Sequence, residues 1–173
     1  AAADGKAGVV QTWLAGDGRV DATCVRGGVS GWTLLLIAAG NGPKERRAVL
    51  LKRGAKPDAQ NSKGDAALMA AAFSGHVQVV ETLLQHGAEI NLQNSEGCTA
   101  LTLAAHQGHE RVVDLLLRHG AEVDLQDGDG HTALVSAASH GRPVVVLQLL
   151  RAGADMALRT APGKTALQIA KEK

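Results

Sequence analysis

The stretch GCTALTLAAHQGHERVVDLLLRHGA, residues 97–121, decides the fold. Its three glycines, Gly97, Gly108 and Gly120, each belong to a longer series. Stepping outward from Gly97 at one constant interval finds Gly31, Gly64, Gly130 and Gly163. Gly108 has equivalents at Gly42, Gly75 and Gly141, and Gly120 at Gly54, Gly87 and Gly153, again at that same interval. Ala follows each member of the third series, at Ala55, Ala88, Ala121 and Ala154. Three phased glycine series with one period mark an internal repeat, and the repeat has to be read before any single element.

Each unit predicts two short helices and a turn. In the unit beginning at Gly64, residues 66–73 are rich in Ala and free of breakers, a first helix. Ser74-Gly75 ends it, since glycine tolerates the left-handed conformation of a helix stop. Val77, Val79, Val80, Leu83 and Leu84 are spaced for a second helix. Gly87 closes that helix, and residues 88–97 run out as a turn-rich finger. Thr33, Thr99, Thr132 and Thr165 stand where the first helix begins and can cap it. The equivalent Ala66 cannot, which costs that helix start about 1 kcal/mol.

The Cys98–Ala105 run, Gly108-His109, Val112-Val113, Leu116-Leu117 and Gly120-Ala121 together resemble an ankyrin repeat. The period of about 33 residues and the helix-turn-helix-finger order are similar to that family. The resemblance implies an all-α solenoid of stacked helix-turn-helix units with finger-like turns, forming a single domain over residues 1–173. Units 31–63, 64–96, 97–129 and 130–162 read as complete. Residues 1–30 resemble the later part of a leading unit, through Val9-Val10, Trp13-Leu14 and Val20-Asp21-Ala22. Residues 163–173 resemble the first helix of a trailing one. Three departures stand out. The family's Thr-Pro-Leu-His stretch has no Pro here, and its His is replaced by Leu36, Met69, Thr102, Val135 and Gln168. The first finger is longer by about four residues, within Val25-Arg26-Gly27-Gly28-Val29-Ser30. Arg46-Arg47 takes the place of a second-helix valine pair, so that helix is expected to rotate or shorten and leave the core to Leu50 and Leu51.

Composition agrees with thin helical layers. Hydrophobic residues make up 45% of the chain, but only one Phe, two Trp and no Tyr are present, so Ala, Leu and Val must pack at short distances. A net charge of +1 argues against a general polyanion binder, and nucleic acid is not an expected partner. Two cysteines at unrelated places in the repeat make no disulfide framework, which points to a reducing, cytoplasmic or nuclear compartment. The longest apolar run, residues 34–39, is too short to span a bilayer, and residues 1–4 lack a signal core. The sequence has no initiator Met, and the array is expected to act as a monomer or within a larger chain.

A repeat cannot bury its apolar stripe alone, so Leu68, Ala71, Val80, Leu83, Leu84 and their equivalents should form a shared core. What varies between units is exposed, in columns with a step of about 10 Å and a total length of roughly 40 Å. The resemblance implies a partner-facing concave wall built from these columns. Trp32, Asp65, Cys98 and His131 follow the turn glycine. Lys63, Glu96 and Asp129 precede it. Phe73 and His106 end the first helix, followed by Asn41, Ser74, Gln107 and His140. Gln60 and Gln93 open the fingers. Trp32 and Phe73 are the expected anchors, because exposed aromatics concentrate binding energy. Shielding the edge of a thin core is their other reading, whereas Trp13 replaces a second-helix Leu and belongs to the core. Unit 31–63 is rich in Lys and Arg and unit 97–129 in Asp and Glu, which suits a partner of opposite polarity or an ordinary solvated surface. The family resemblance also implies an asparagine-hydroxylation context at Asn91, with finger stabilisation as the simpler account.

Enzyme chemistry is not expected, nor is a cofactor or metal. His76, His86, His109 and His119 recur with the repeat and make no tetrahedral set. His106, His131 and His140 could approach one another on the concave side, but imidazoles bonded to solvent or partner are the simpler account. Asp127-Gly128-Asp129-Gly130 lacks the closing bidentate acid of a calcium loop. Gly40-Asn41-Gly42-Pro43-Lys44 lacks phosphate-loop spacing. The function expected is a protein-interaction scaffold binding a protein or peptide. The alternative is a small-ligand or nucleotide sensor, in which Trp32 and Phe73 stack on a flat ring beside Lys63. An open groove favours the scaffold and a closed pocket the sensor.

Overall fold

A computed structural model of the chain describes residues 20–41 and 50–172. The leading Val9-Val10 and Trp13-Leu14, and the Arg46-Arg47 pair, lie outside the described residues. A hairpin of β1 (Thr23–Arg26) and β2 (Val29–Thr33) leads into α1 (Leu34–Asn41). Residues 50–52 are helical. Three helix pairs follow: α2 (Ala67–Phe73) with α3 (Val77–Gln85), α4 (Ala100–Gln107) with α5 (Glu110–Arg118), and α6 (Ala133–Ser139) with α7 (Pro143–Arg151). Then α8 (Ala166–Lys171) stands alone. First helices pack on first helices and second on second, giving two parallel rows. Among the described residues no helix is long and apolar enough to cross a membrane.

The core is periodic because the sequence is. Leu50, Leu83, Leu116 and Leu149, one per unit, are each 1% exposed or less. Leu35, Leu68, Leu101 and Leu134 repeat the arrangement between the first helices at 3% or less. Beside them Ala39, Ala71, Ala72, Ala104, Ala105 and Ala137 are fully buried. Methyl side chains let the first helices approach closely, which explains how so few aromatics suffice. Leu84 is only partly buried, packed against this core from its edge.

Hydrogen bonds at the helix starts follow the threonines. Thr33 Oγ1 accepts from the Leu36 N–H (3.1 Å) and Thr132 Oγ1 from the Val135 N–H (3.3 Å). Thr99 and Thr165 form complete capping boxes, because Thr102 and Gln168 return a bond to the capping residue's N–H. These two residues stand where the family has His, so the altered position still closes the box there. Leu36, Met69 and Val135 carry no polar group to do so. Ala66 caps α2 with no side-chain bond.

The fingers are joined in series by backbone. Ser62 N–H donates to the Ser30 carbonyl, Ser95 to Lys63, Gly128 to Glu96 and Ala161 to Asp129, at 2.7–3.0 Å. The turn glycines make that approach possible. Gly97 has φ 82°, and a Cβ there would lie 2.8 Å from the Asp127 Cα of the next finger. A second row of ties runs below: the carboxylates or amide of Asp21, Asp58, Asn91 and Asp124 accept from the N–H groups of Lys56, Glu89, Glu122 and Asp155.

The all-α expectation is modified at one place. The extra length of the first finger forms the β1–β2 hairpin rather than a longer loop. Gly27 (φ 58°) and Gly28 (φ 78°) supply the two left-handed residues of the tightest hairpin turn, with Arg26 opposite Val29.

Replacing Ala66 with Thr should restore the missing cap, since Thr33, Thr99 and Thr132 occupy the same buried position in neighbouring units. Chemical denaturation of A66T is expected to show about 1 kcal/mol of added stability. An unchanged or lower midpoint would mean that α2 already starts without strain.

Candidate functional site

A groove of about 530 Å³ lies where the first fingers meet α1, α2 and α4. Leu36, Ile37, Met69, Ala70 and Leu103 contribute its apolar lining. Trp32, Phe73 and Ser74 stand around it, with Arg26, Lys63, Asp65, Asn94 and Glu96 from the hairpin and fingers. Six of the expected residues are thus gathered at one site: Trp32, Lys63, Asp65, Phe73, Ser74 and Glu96. The rest of the expected set does not line it. Asn41 ends α1, and its side chain is outside the described residues.

The two aromatics differ. Phe73, the last residue of α2, is 48% exposed, and its backbone is held from the next unit by the His109 Nε2–H, which donates to its carbonyl at 2.9 Å. It is an apolar ring on a fixed wall. Trp32 is half-buried, its Nε1 is buried without a hydrogen-bond partner, and Arg26 lies over the ring with its guanidinium carbon 5.7 Å from the centroid. The hairpin therefore covers the Trp32 surface that an anchor would offer. Arg26 is not among the sequence candidates. Only the hairpin turn brings it to Trp32, and the repeat pattern carries no sign of that.

Gln60 and Gln93 serve the fingers. Each amide nitrogen donates to the carbonyl of its own turn glycine, Gly64 (2.6 Å) or Gly97 (2.7 Å), and to the carbonyl of the next glutamine at 3.1 Å. Gln126 does the same to Gly130 and Arg159. Their exposed ends remain on the surface, but their donors are committed to the scaffold. The column Asn61, Asn94 and Asp127 is also missing from the sequence candidates. Each side-chain oxygen accepts from the N–H groups two and four residues on and holds the finger tip shut. Its recurrence once per unit is legible in the sequence. Asn91 instead ties its finger to the next unit: its amide donates to Glu122 Oε1 and accepts from the Glu122 N–H, both at 2.9 Å.

Electrostatics vary along the wall. Asp65 accepts from the Asn61 and Asn94 amides at 3.2 and 3.0 Å. Cys98 is half-buried beside the groove. Burial, then the negative fields of Asp127, Glu96 and Asp65, push its thiol up to about 11, although a Thr102 hydrogen bond pulls the other way. Carboxylates from three successive fingers thus converge on one point. His131 Nδ1 lies 3.4 Å from Asp127 Oδ1, and Asp129 is exposed at the following finger tip.

Farther along, His106 and His140 come together as the sequence suggested, with ring centroids 3.8 Å apart. His131 does not join them. Burial, His140 and Arg142 hold the His106 pKa below the ordinary imidazole value. His140 Nδ1 is placed by Ser136 and Ser139, each at 2.9 Å. Gln107, beside His106, is half-buried at the end of α4. Of the periodic histidines, His86 and His119 bond within their own helices, to the Thr82 and Leu115 carbonyls, while His76 and His109 act between units: His76 Nε2–H donates to the Gly40 carbonyl at 3.0 Å, as His109 does to Phe73, and Arg142 takes over this role toward His106 at 3.2 Å. Among the described residues no three His, Cys, Asp or Glu side chains gather as metal ligands would.

A family model for ankyrin repeats (3 copies) matches the chain over residues 1–94 and again over 87–160. No curated protein matches it.

Two titrations check this electrostatic picture. With its thiol near 11, Cys98 should hold on the order of 100-fold less thiolate at pH 8 than an ordinary cysteine. Iodoacetamide followed by peptide mass spectrometry should therefore find Cys98 alkylated far more slowly in the folded protein than after denaturation; equal rates would refute the converging carboxylates. His106 favours its neutral form in the fold, so its contribution to stability is complete above about pH 6.5 and is lost as pH falls through the lowered native value. Denaturation midpoints measured from pH 7.5 to 5 should drop less steeply in His106→Gln than in the parent chain.

Proposed function

The chain belongs to the ankyrin repeat family, and from that membership we propose that it binds a protein or peptide partner in the groove bounded by Trp32 and Phe73. Ankyrin repeats are generally protein–protein interaction modules, typically without enzymatic activity. The observation that carries the local assignment is Phe73: a half-exposed aromatic ring beside an apolar floor, at a position where equivalent units carry Gly40, His106 and Ser139. A rigid scaffold presenting one unpaired aromatic loses little conformational entropy on binding. Trp32 serves as the second wall, with Arg26 over it, rather than as a bare anchor. Ser74, Lys63, Asp65 and Glu96 supply a polar rim around the apolar centre. No catalytic role is assigned to any of them.

The groove is lined by Arg26 of the hairpin and by residues of units 31–63, 64–96 and 97–129, a span that suits an extended chain segment better than a single flat ring. That geometry supports the scaffold over a nucleotide sensor. The partner is proposed to meet a monomeric array, alone or within a longer chain.

Binding and folding should separate cleanly on substitution. Phe73→Ala removes an exposed ring and is expected to weaken partner binding by on the order of 2 kcal/mol while leaving the melting curve nearly in place. Leu83→Ala opens a cavity in the stack and should destabilise by roughly 2–5 kcal/mol. Calorimetric binding paired with thermal melts of the two variants checks this. If Phe73→Ala melts the array and the folded remainder keeps full affinity, Phe73 is a core residue and the partner surface lies elsewhere.

A further inference from the structure

The charged residues around the groove are not symmetrically disposed. Arg26 belongs to the first finger, Lys63 and Asp65 flank Gly64 at the tip of the next, and Glu96 stands at the tip of the one after that. Beyond Glu96 the same finger row continues with Asp129 and no cation, since Ser30, Lys63, Glu96 and Asp129 occupy equivalent places in successive units. Glu96 is exposed, and its fixed backbone receives the Gly128 N–H at 2.8 Å. Its carboxylate therefore projects from an immobile turn next to an apolar trough.

We propose that the occupant of the groove is an extended segment of a partner protein that seats an apolar side chain against Phe73 and places a Lys or Arg on the Glu96 side. The inference rests on the groove being the partner site and adds the partner's chemistry. Phe73 ends the first helix of unit 64–96 and Glu96 stands at the finger tip of that same unit, and both line one groove, so one extended segment can meet both.

Three features support a cation there. Carboxylates of Asp65, Glu96 and Asp127 converge on the half-buried Cys98 from three fingers, so the negative field reaches the concave wall rather than only the finger tips. Asp65 and Asp127 are held in place by finger hydrogen bonds, so the field is preorganised. An acidic segment on this side would face the same charges as repulsion, which gives selectivity as well as attraction. Lys63, one finger earlier, opposes a cation at its own end and so fixes the segment's direction: its basic residue points toward Glu96 and away from Arg26.

A random peptide library displayed on phage and panned against the full chain tests this, followed by fluorescence anisotropy of the enriched sequences as labelled synthetic peptides. The expected winners carry Lys or Arg at a constant spacing from a large apolar side chain. Their affinity should fall about threefold in Glu96→Gln and about tenfold in Glu96→Lys, weaken with added salt, and be lost in Phe73→Ala. Circular dichroism and melting of each variant confirm that it is folded. Winners that need Phe73 but carry acidic or uncharged residues at that spacing, or bind Glu96→Lys as tightly as the parent, overturn the basic-segment assignment and leave the groove as the partner site. Failure to enrich any peptide, or winners that bind Phe73→Ala with full affinity, overturns the groove itself and this assignment with it.

Discussion

Leu83 cannot leave water within its own unit. It is buried completely because neighbouring units in the stack supply apolar partners, and Leu50, Leu116 and Leu149 are buried as deeply. This shared burial is the constraint on which the rest of the molecule depends. It forces the units into register, and register brings equivalent residues of successive units into line. The Ala layer between the first helices has the same effect at shorter range. Packing of this kind tolerates no lateral slip, so whatever the units carry on their outer surfaces appears as columns.

Polar groups then complete what burial begins. One backbone bond joins each finger to the next, the glutamine amides bridge adjacent turns, and the Asx row ties each unit to its successor. The periodic imidazoles of His76 and His109 bind the carbonyls that end the preceding first helix. Repeating polar residues are therefore mostly committed to the array. Several residues that break the repeat gather in the groove instead: Trp32 and Phe73 against small or polar equivalents, Lys63 against Glu96.

Among the described residues, the hairpin is the element that the repeat does not generate. It inserts where the first finger lengthens, and it carries Arg26 across the ring of Trp32. A residue that looks like an open aromatic anchor is thereby half-covered, while Phe73 keeps the freer surface. Exposure in a solenoid is consequently decided by neighbours in space as much as by position in the unit. The exposed Leu167 illustrates the same rule at the trailing end: its equivalents Leu68, Leu101 and Leu134 are buried because a further first helix covers them.

By itself, the sequence determined the period, the two-helix unit, the glycine stops, the threonine caps and the missing cap at Ala66. Each of these is local, or repeats at a fixed interval, so residue identity and spacing suffice. It also determined which positions could vary without disturbing the stack, and six of those do meet in one groove. Only the tertiary structure decided that Gln60 and Gln93 spend their donors on the fingers, that Arg26 covers Trp32, that His106 pairs with His140 but not His131, and that carboxylates of three fingers share a field at Cys98. These depend on distances between residues roughly one period apart or on a turn outside the pattern, and such distances exist only once apolar burial has stacked the units.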